Sequence, residues 1–278
     1  MRATVIVPTY DHGPLIEHSV GSALAQTEAE IEVLIVGDGV PDAARPAVER
    51  VAASDPRVRF LDNPKAPGHG FRHRDEAIRQ ARSEYILYLS DDDVWTPEHV
   101  HLLCAALDEA DFAASLPFGL GRANVRLKYP HDLADPGWRA YLLNEVSLIS
   151  LSLVAHRRSL YAKLETGWRR DDTHYAAVWR EFAAHAERMA TVARATAAIL
   201  PATKRAEMSE EERFAEIDEV AKLVATPAGR LGLLEQLFEH EVRRWARLTL
   251  RLDAAKAKAK AKGDRQAARK QRRPDGLS

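Results

Sequence analysis

YILYLSDDDVWTPEHV, residues 85–100, is the stretch on which the reading of this chain turns. An apolar run from Tyr85 to Leu89 ends at Ser90 and is followed by three consecutive aspartates, Asp91, Asp92 and Asp93. An apolar run of that length with a polar stop reads as a buried strand, and Thr96-Pro97 behind it reads as the cap and first position of a helix. Three carboxylates therefore gather where a buried strand leaves its sheet, the edge at which open α/β sheets bind ligands. Adjacent carboxylates raise one another's pKa unless a cation is near. Oxygen donors of this kind suit Mg²⁺ or Mn²⁺, ions that bridge to substrate phosphates. An isolated acidic run is also what a solvated loop or a helix-capping cluster looks like, so the aspartates acquire meaning only from their surroundings.

Working outward, the first half of the chain alternates. Residues 3–7, 31–36, 57–61 and 84–90 carry strand patterns, and residues 14–26, 42–53, 72–82 and 97–110 carry helical ones. Such alternation predicts βαβ units, right-handed crossovers and a mostly parallel sheet flanked by helices, with all the strands' carboxyl ends at one edge. The second half is less regular: strands are expected at 146–155 and 190–200, and helices at 171–188, 208–225 and 228–252. In the last of these, Leu231, Leu234, Phe238, Val242, Trp245, Leu248 and Leu252 fall near one face. The terminal KAKAKAKGDRQAARKQRRPDGLS has almost no large apolar residue and reads as a mobile segment or a frayed helix.

The net charge of −1 hides an asymmetry. From residue 253 onward nine basic residues face three acids, giving +6 and leaving about −7 on the rest. No aromatic residues are interleaved with those cations, which argues against a nucleic-acid tail. A single cysteine, Cys104, lies among leucines and alanines, so no intramolecular disulfide can form and a reduced, cytoplasmic setting is expected. No apolar run reaches the length of a membrane span, and MRATVIVPTY reads as a first strand rather than a leader. No G-x-G-x-x-G follows a strand, which disfavours a dinucleotide dehydrogenase, and no H-E-x-x-H or paired-ligand spacing indicates zinc.

Four further stretches converge with the aspartates: VIVPTYDHG (5–13), LIVGDGV (34–40), PGHGFRHRDEAIRQARSEY (67–85) and GWRRDDTHYAAVWR (167–180). Together the five resemble the family 2 glycosyltransferases, whose pattern is V-P-x-Y-N, V-D-D-G-S, A-R-N-x-G, G-E-Y-I-x-F-L-D-x-D and a later E-D pair before a Trp- and Arg-bearing helix. Here these become Pro8-Thr9-Tyr10-Asp11, Gly37-Asp38-Gly39, Arg74-Asp75, Ser83 through Asp93, and Asp171-Asp172 before Trp179-Arg180. No single motif is specific, but five in register over roughly residues 3–182 are. The resemblance implies a GT-A-type, Rossmann-like mixed sheet in residues 1–200, with a nucleotide-sugar-binding half (1–110) and an acceptor-binding half (111–200). A C-terminal helical extension (201–252) and the basic tail (253–278) follow.

The resemblance also implies roles. Pro8, Thr9 and Tyr10 would pack the nucleotide base, Asp38 would hydrogen-bond base or ribose, and Arg74 would approach the diphosphate. Asp91 would contact ribose or help position the metal. Asp93 would bind Mn²⁺ or Mg²⁺ directly, with Asp92 as its substitute if the loop is shifted. Asp172 would be the general base of an inverting transfer. The implied partners are a UDP-, dTDP- or GDP-sugar donor and a glycan, lipid-linked or small-molecule acceptor, with no nucleic acid. The amphipathic 228–252 helix offers a homodimer face, and the basic tail offers peripheral contact with an anionic membrane. Four departures stand out: Gly37 replaces the usual first aspartate of its motif, Asp75 the usual asparagine, Ala77 the usual glycine, and Asp171 the usual glutamate. The competing readings are a catalytically silent nucleotide-binding protein of the same fold and a sugar-phosphate nucleotidyltransferase. The latter wants a Gly-rich basic loop after the first strand, which Pro8-Thr9-Tyr10-Asp11 does not supply.

Overall fold

The computed structural model describes residues 1–120, 125–127, 131–144, 149–170, 175–200 and 205–271, with side chains described for that last helix only to residue 260, Ala257 excepted. The chain opens with β1 (Ala3–Thr9), α1 (Leu15–Leu24), β2 (Ile31–Gly37), α2 (Arg45–Ser54), β3 (Val58–Leu61), α3 (Phe71–Gln80) and β4 (Tyr85–Tyr88). Then come β5 (Val94–Trp95), α4 (His99–Glu109), β6 (Phe112–Leu120), β7 (Val125–Arg126), α5 (Pro136–Asn144), β8 (Val154–Arg157), α6 (Arg158–Tyr161) and α7 (Ala176–His185). β9 (Met189–Ile199), α8 (Glu210–Ala225) and α9 (Pro227–Gln271) complete it.

The nine described strands form one mixed sheet in the order β3-β2-β1-β4-β8-β6-β9-β5, with β7 hairpinned onto β6. The first four are parallel, and β8 runs antiparallel between β4 and β6. Val5, Ile6 and Val7 of β1 and Val33 to Val36 of β2 are essentially inaccessible, as expected of strands covered by helices on both faces. The order reverses at β1: β2 and β3 build outward on one side, and β4 is laid on the other. The loops leaving β1 and β4 therefore diverge, opening a crevice at the carboxyl edge between them.

Three expectations about local structure are corrected. Thr96-Pro97 does not cap α4: the helix begins at His99 with Glu98 at the cap, and Thr96 instead joins the sheet edge through its N–H to the Thr196 carbonyl, 2.9 Å. The strand expected over 146–155 is confined within the described residues to Val154–Arg157, because Leu151–Leu153 forms a single 3₁₀ turn that aims Ser152 at the aspartates. The helix expected at 171–188 spans Ala176–His185, and residues 171–174 lie outside the described set.

The C-terminal segment is helical for longer than its composition suggests, since α9 continues to Gln271. Its alanine and lysine content has good helix propensity even without a core to pack on. α8 starts at a capping box: the Glu212 N–H donates to Ser209 Oγ (3.1 Å) and the Ser209 N–H to Glu212 Oε2 (2.8 Å). Ile217, Val220 and Val224 of α8 and Leu233 and Leu237 of α9 share a core with Phe118, Leu120, Val125 and Ala198, so the extension packs directly on the sheet. Among the described residues no helix is long and apolar enough to cross a membrane.

Beneath the crevice a buried aromatic cluster holds the halves of the sheet together. The Tyr88 hydroxyl lies 2.7 Å from His156 Nε2 and accepts from Trp168 Nε1 at 2.8 Å. Burial lowers the His156 pKa to about 4, so the ring is neutral. Its Nδ1, 2.9 Å from the Arg157 carbonyl, carries the proton, and Tyr88 therefore donates to Nε2. Replacing Tyr88 by Phe removes the partner of both rings. The Tyr88→Phe protein is expected to lose about 1–3 kcal/mol in urea unfolding, with little change in the sheet's circular dichroism.

Candidate active site

The crevice between β1 and β4 contains a cleft of about 360 Å³ whose lining includes Tyr10, His12, Asp38, Arg74, Asp91 and Asp92. The three aspartates, adjacent in sequence, have separate fates in space. Asp91 accepts from Thr9 Oγ1 through one oxygen (2.6 Å) and meets His12 Nδ1 through the other (2.7 Å), tying the ends of β1 and β4 together. Asp93 turns away from the cleft and accepts from Ser152 Oγ at 2.6 Å and from the Leu200 N–H at 2.8 Å. Asp92 stays in the cleft, where Arg213 Nη2 of α8 approaches to 3.9 Å.

Electrostatics follow from this division. The hydrogen bond to Asp91 raises the His12 pKa to about 9, against the opposing effect of burial. Burial and then the charges of Asp93 and Asp91 push Asp92 up to about 8. Burial lifts Asp93 to about 6, its bonds from Ser152 and Leu200 pulling the other way. One donor atom each from His12, Asp91 and Asp92 lie within 4.8 Å of one another. His12, once it gives up its proton, and two carboxylates, one of them held protonated by burial, form a donor set that fits a divalent cation.

The opposite wall is basic and aromatic. Arg74 is buried, with Nε and Nη1 making no hydrogen bond, and its guanidinium stacks on Phe71 (4.7 Å) and Trp168 (4.9 Å). Desolvation lowers its pKa to about 10, so it remains charged at neutral pH. A buried cation with unused donors at a cleft is a ready anion site. Asp38, at the end of β2, accepts from Lys65 Nζ and the Ala66 N–H, both at 2.8 Å. Lys65 in turn lies 3.6 Å above the Tyr10 ring. Gly70 has φ +67°, and a Cβ there would come within 2.8 Å of Asp38 Cβ, so only glycine lets the start of α3 approach this carboxylate. Gly37 has an equally local reason: a side chain would meet the Phe60 ring at 2.8 Å. Asp75 faces away from the cleft and braces α3, accepting from Tyr161, Arg79 and Arg169.

The structure thus brings Pro8, Thr9, Tyr10, Asp38, Arg74, Asp91 and Asp92 to one cleft and leaves Asp93 behind it; Asp172 lies outside the described residues. Three neighbours were not singled out from the sequence. His12 follows Tyr10 by two positions at a strand end facing an acidic strand end, which is a readable signal. Lys65 and Arg213 carry none, since each is placed by a loop or helix whose path the local sequence does not encode.

A family model described as glycosyl transferase family 2 matches residues 4–181. An uncharacterized glycosyltransferase, EpsJ, of Bacillus subtilis is 37% identical over 90 residues, covering 32% of this chain and 26% of that protein. A chondroitin synthase of Escherichia coli is 36% identical over 160 residues, 58% of this chain and 22% of that protein. The chain thus spans only about a quarter of the length of these curated relatives. Among solved structures, S. aureus TarS residues 1–349 superposes with a TM-score of 0.56 at 20% identity, covering 81% of this chain and 65% of that one. The mannosyltransferase PcManGT of Pyrobaculum calidifontis, in complex with GDP-Man and Mn²⁺, gives 0.50 at 21% identity, covering 98% and 81%. These likenesses show the fold.

The raised carboxyl makes stability depend on pH. Between about pH 4 and pH 8 Asp92 keeps its proton in the folded chain and loses it in the unfolded one, so stability falls as pH rises through that window. His12 contributes stability below its ordinary pKa of 6.5 that is lost as pH rises to about 9, in the same direction. In EDTA, Asp92→Asn is therefore expected to melt higher than wild type at pH 8, the gap closing towards pH 4. Equal melting temperatures at both pH values would show that Asp92 is not under this strain.

Proposed function

The chain belongs to glycosyl transferase family 2, and from that premise we propose that it transfers a sugar from a nucleoside-diphosphate donor to an acceptor hydroxyl, inverting the anomeric carbon. The observation that carries this reading is the cleft itself: an unsatisfied buried guanidinium on one wall faces a metal-competent cluster on the other. That combination of charge suits a diphosphate bound in the cleft.

In this reading Tyr10 and Pro8 pack the base, and Asp38, already oriented by Lys65 and Ala66, accepts from base or ribose. Arg74, which lines the cleft, presents its guanidinium charge to the diphosphate. His12, Asp91 and Asp92 would hold Mn²⁺ or Mg²⁺, with Asp93 bracing the loop from behind rather than ligating, so that Asp92 takes the place expected of Asp93. A divalent ion bound there supplies positive charge against the departing diphosphate. Arg213 stands beside Asp92 as a second protein cation on that side. Asp172 takes the proton of the acceptor hydroxyl as its oxygen bonds to the anomeric carbon and the bond to the diphosphate breaks. The donor class draws support from neighbours of the same fold in complex with UDP-GlcNAc and with GDP-Man. The acceptor is a glycan, a lipid-linked sugar or a small molecule.

The test is a thermal-shift panel of UDP, GDP, dTDP and CDP, each with and without Mn²⁺. One nucleotide is expected to raise the melting temperature, with a metal-dependent part that Asp92→Asn removes. Arg74→Met is expected to weaken that nucleotide by at least roughly tenfold with or without metal, the cost of losing charged hydrogen bonds. No shift with any nucleotide would overturn the reading.

A separate expectation concerns the base. Asp172→Asn should leave the nucleotide shift intact and lower transfer by about 10²–10⁴-fold; unchanged turnover would remove Asp172 from the mechanism.

A further inference from the structure

α9 has two apolar faces, and the body covers only one. Leu233 and Leu237 are buried against the sheet's second core. Leu231, Leu234, Phe238, Val242, Trp245 and Leu252 point elsewhere: at 3.6 residues per turn they fall within an arc of about 80°, centred roughly 100° round the helix from the docked pair. They are exposed, Phe238 by 72% and Trp245 by 62%. From Val242 to Lys256 every residue of the helix is exposed, so this stretch stands clear of the body. A ridge of large apolar side chains on a projecting helix is not left in water without reason.

The charges beside the ridge distinguish its occupants. Arg243 and Arg244 pair with Glu239 and Glu241 of their own helix. Arg247, Arg251, Lys256, Lys258 and Lys260 remain, opposed between residues 245 and 260 by Asp253 alone, and all are exposed. Lys256 and Lys260 follow Leu252 at four-residue steps, so the ridge itself turns from apolar to cationic along one line of the helix. Two copies laid parallel on this face would bring the same cations side by side, and Glu241 would sit between Phe238 and Trp245 where a coiled-coil seam wants an apolar knob. An anionic bilayer surface fits the apolar-to-cationic ridge without needing a knob at Glu241, whose charge is held by Arg244 of the same helix. The aromatic and aliphatic ridge enters the headgroup boundary, the arginines stay on the wet side, and the lysines meet lipid phosphates.

We propose that the projecting part of α9 docks this protein on an anionic lipid bilayer, lying in the interface with Phe238, Val242, Trp245 and Leu252 inserted. The proposal stands apart from the sugar-transfer reading, because neither its argument nor its test uses a nucleotide or a substrate.

The test uses the full chain with vesicles of phosphatidylcholine, with and without phosphatidylglycerol, at low and high salt. Co-sedimentation is expected with the phosphatidylglycerol vesicles at low salt, weakened by high salt as surface electrostatics is screened. Phe238→Ser with Trp245→Ser should reduce the bound fraction at least about tenfold, and because both side chains are exposed the melting temperature should not move. A second variant, Lys256→Gln and Lys260→Gln, should lose the preference for phosphatidylglycerol while keeping the apolar ridge. A chain that stays in the supernatant with anionic vesicles overturns the proposal. If sedimentation velocity then shows a dimer that the serine variant dissociates, a second copy covers the ridge instead. Equal binding to both vesicle types would overturn its anionic part.

Discussion

Three carboxylates released together at the end of a buried strand repel one another and lose hydration, and the rest of the site is arranged around that cost. Asp91 is met by the Thr9 hydroxyl and the His12 ring, and Asp93 by the Ser152 hydroxyl and the Leu200 N–H. These four partners come from three pieces of chain: the end of β1 and the loop just after it, the turn before β8, and the residue after β9. Satisfying two of the charges therefore knits together strands that are far apart in sequence. Asp92 is the remainder, buried between like charges with Arg213 at the edge of ionic reach. A position kept short of positive charge is poised to accept it from outside.

The basic wall shows the same economy from the other sign. A guanidinium with unmade hydrogen bonds is unfavourable in a folded chain. Arg74 is nevertheless held in place against the Phe71 and Trp168 rings, with Asp75 one residue on fastening α3 to Tyr161 of α6 and to Arg169 beyond it. Aromatic packing and the hydrogen bonds to Asp75 keep this cation at the cleft.

The C-terminal helices belong to this body rather than to an appendage. α8 caps the apolar end of β5, β6 and β9 and brings Arg213 beside the acidic cluster, although it lies outside the family-matched residues. α9 begins as part of that core and then leaves it. A helix with one face committed to the body and a second left bare connects whatever lies against the bare face to the sheet that carries the cleft.

The alternating first half was legible from sequence alone, because strand and helix periods are local properties of a chain buried on both faces: the β1, β2, β3 and β4 segments were all readable within a residue or two at most ends. So was the gathering of Tyr10, Asp38 and Asp91 at one edge, since parallel strands end on the same side; Arg74 was added by the family resemblance. The family resemblance extended this to a mixed sheet. Tertiary structure decided the rest. Asp91, Asp92 and Asp93 are indistinguishable in a linear reading; which one faces the cleft depends on where Thr9, Ser152 and Leu200 arrive, partners separated from them by 82, 59 and 107 positions. Arg213 entered the site, and a 3₁₀ turn at Leu151–Leu153 took the place of part of the 146–155 strand, for the same reason. Periodicity reports the local backbone, whereas the assignment of a buried charge is settled by whichever distant donor reaches it.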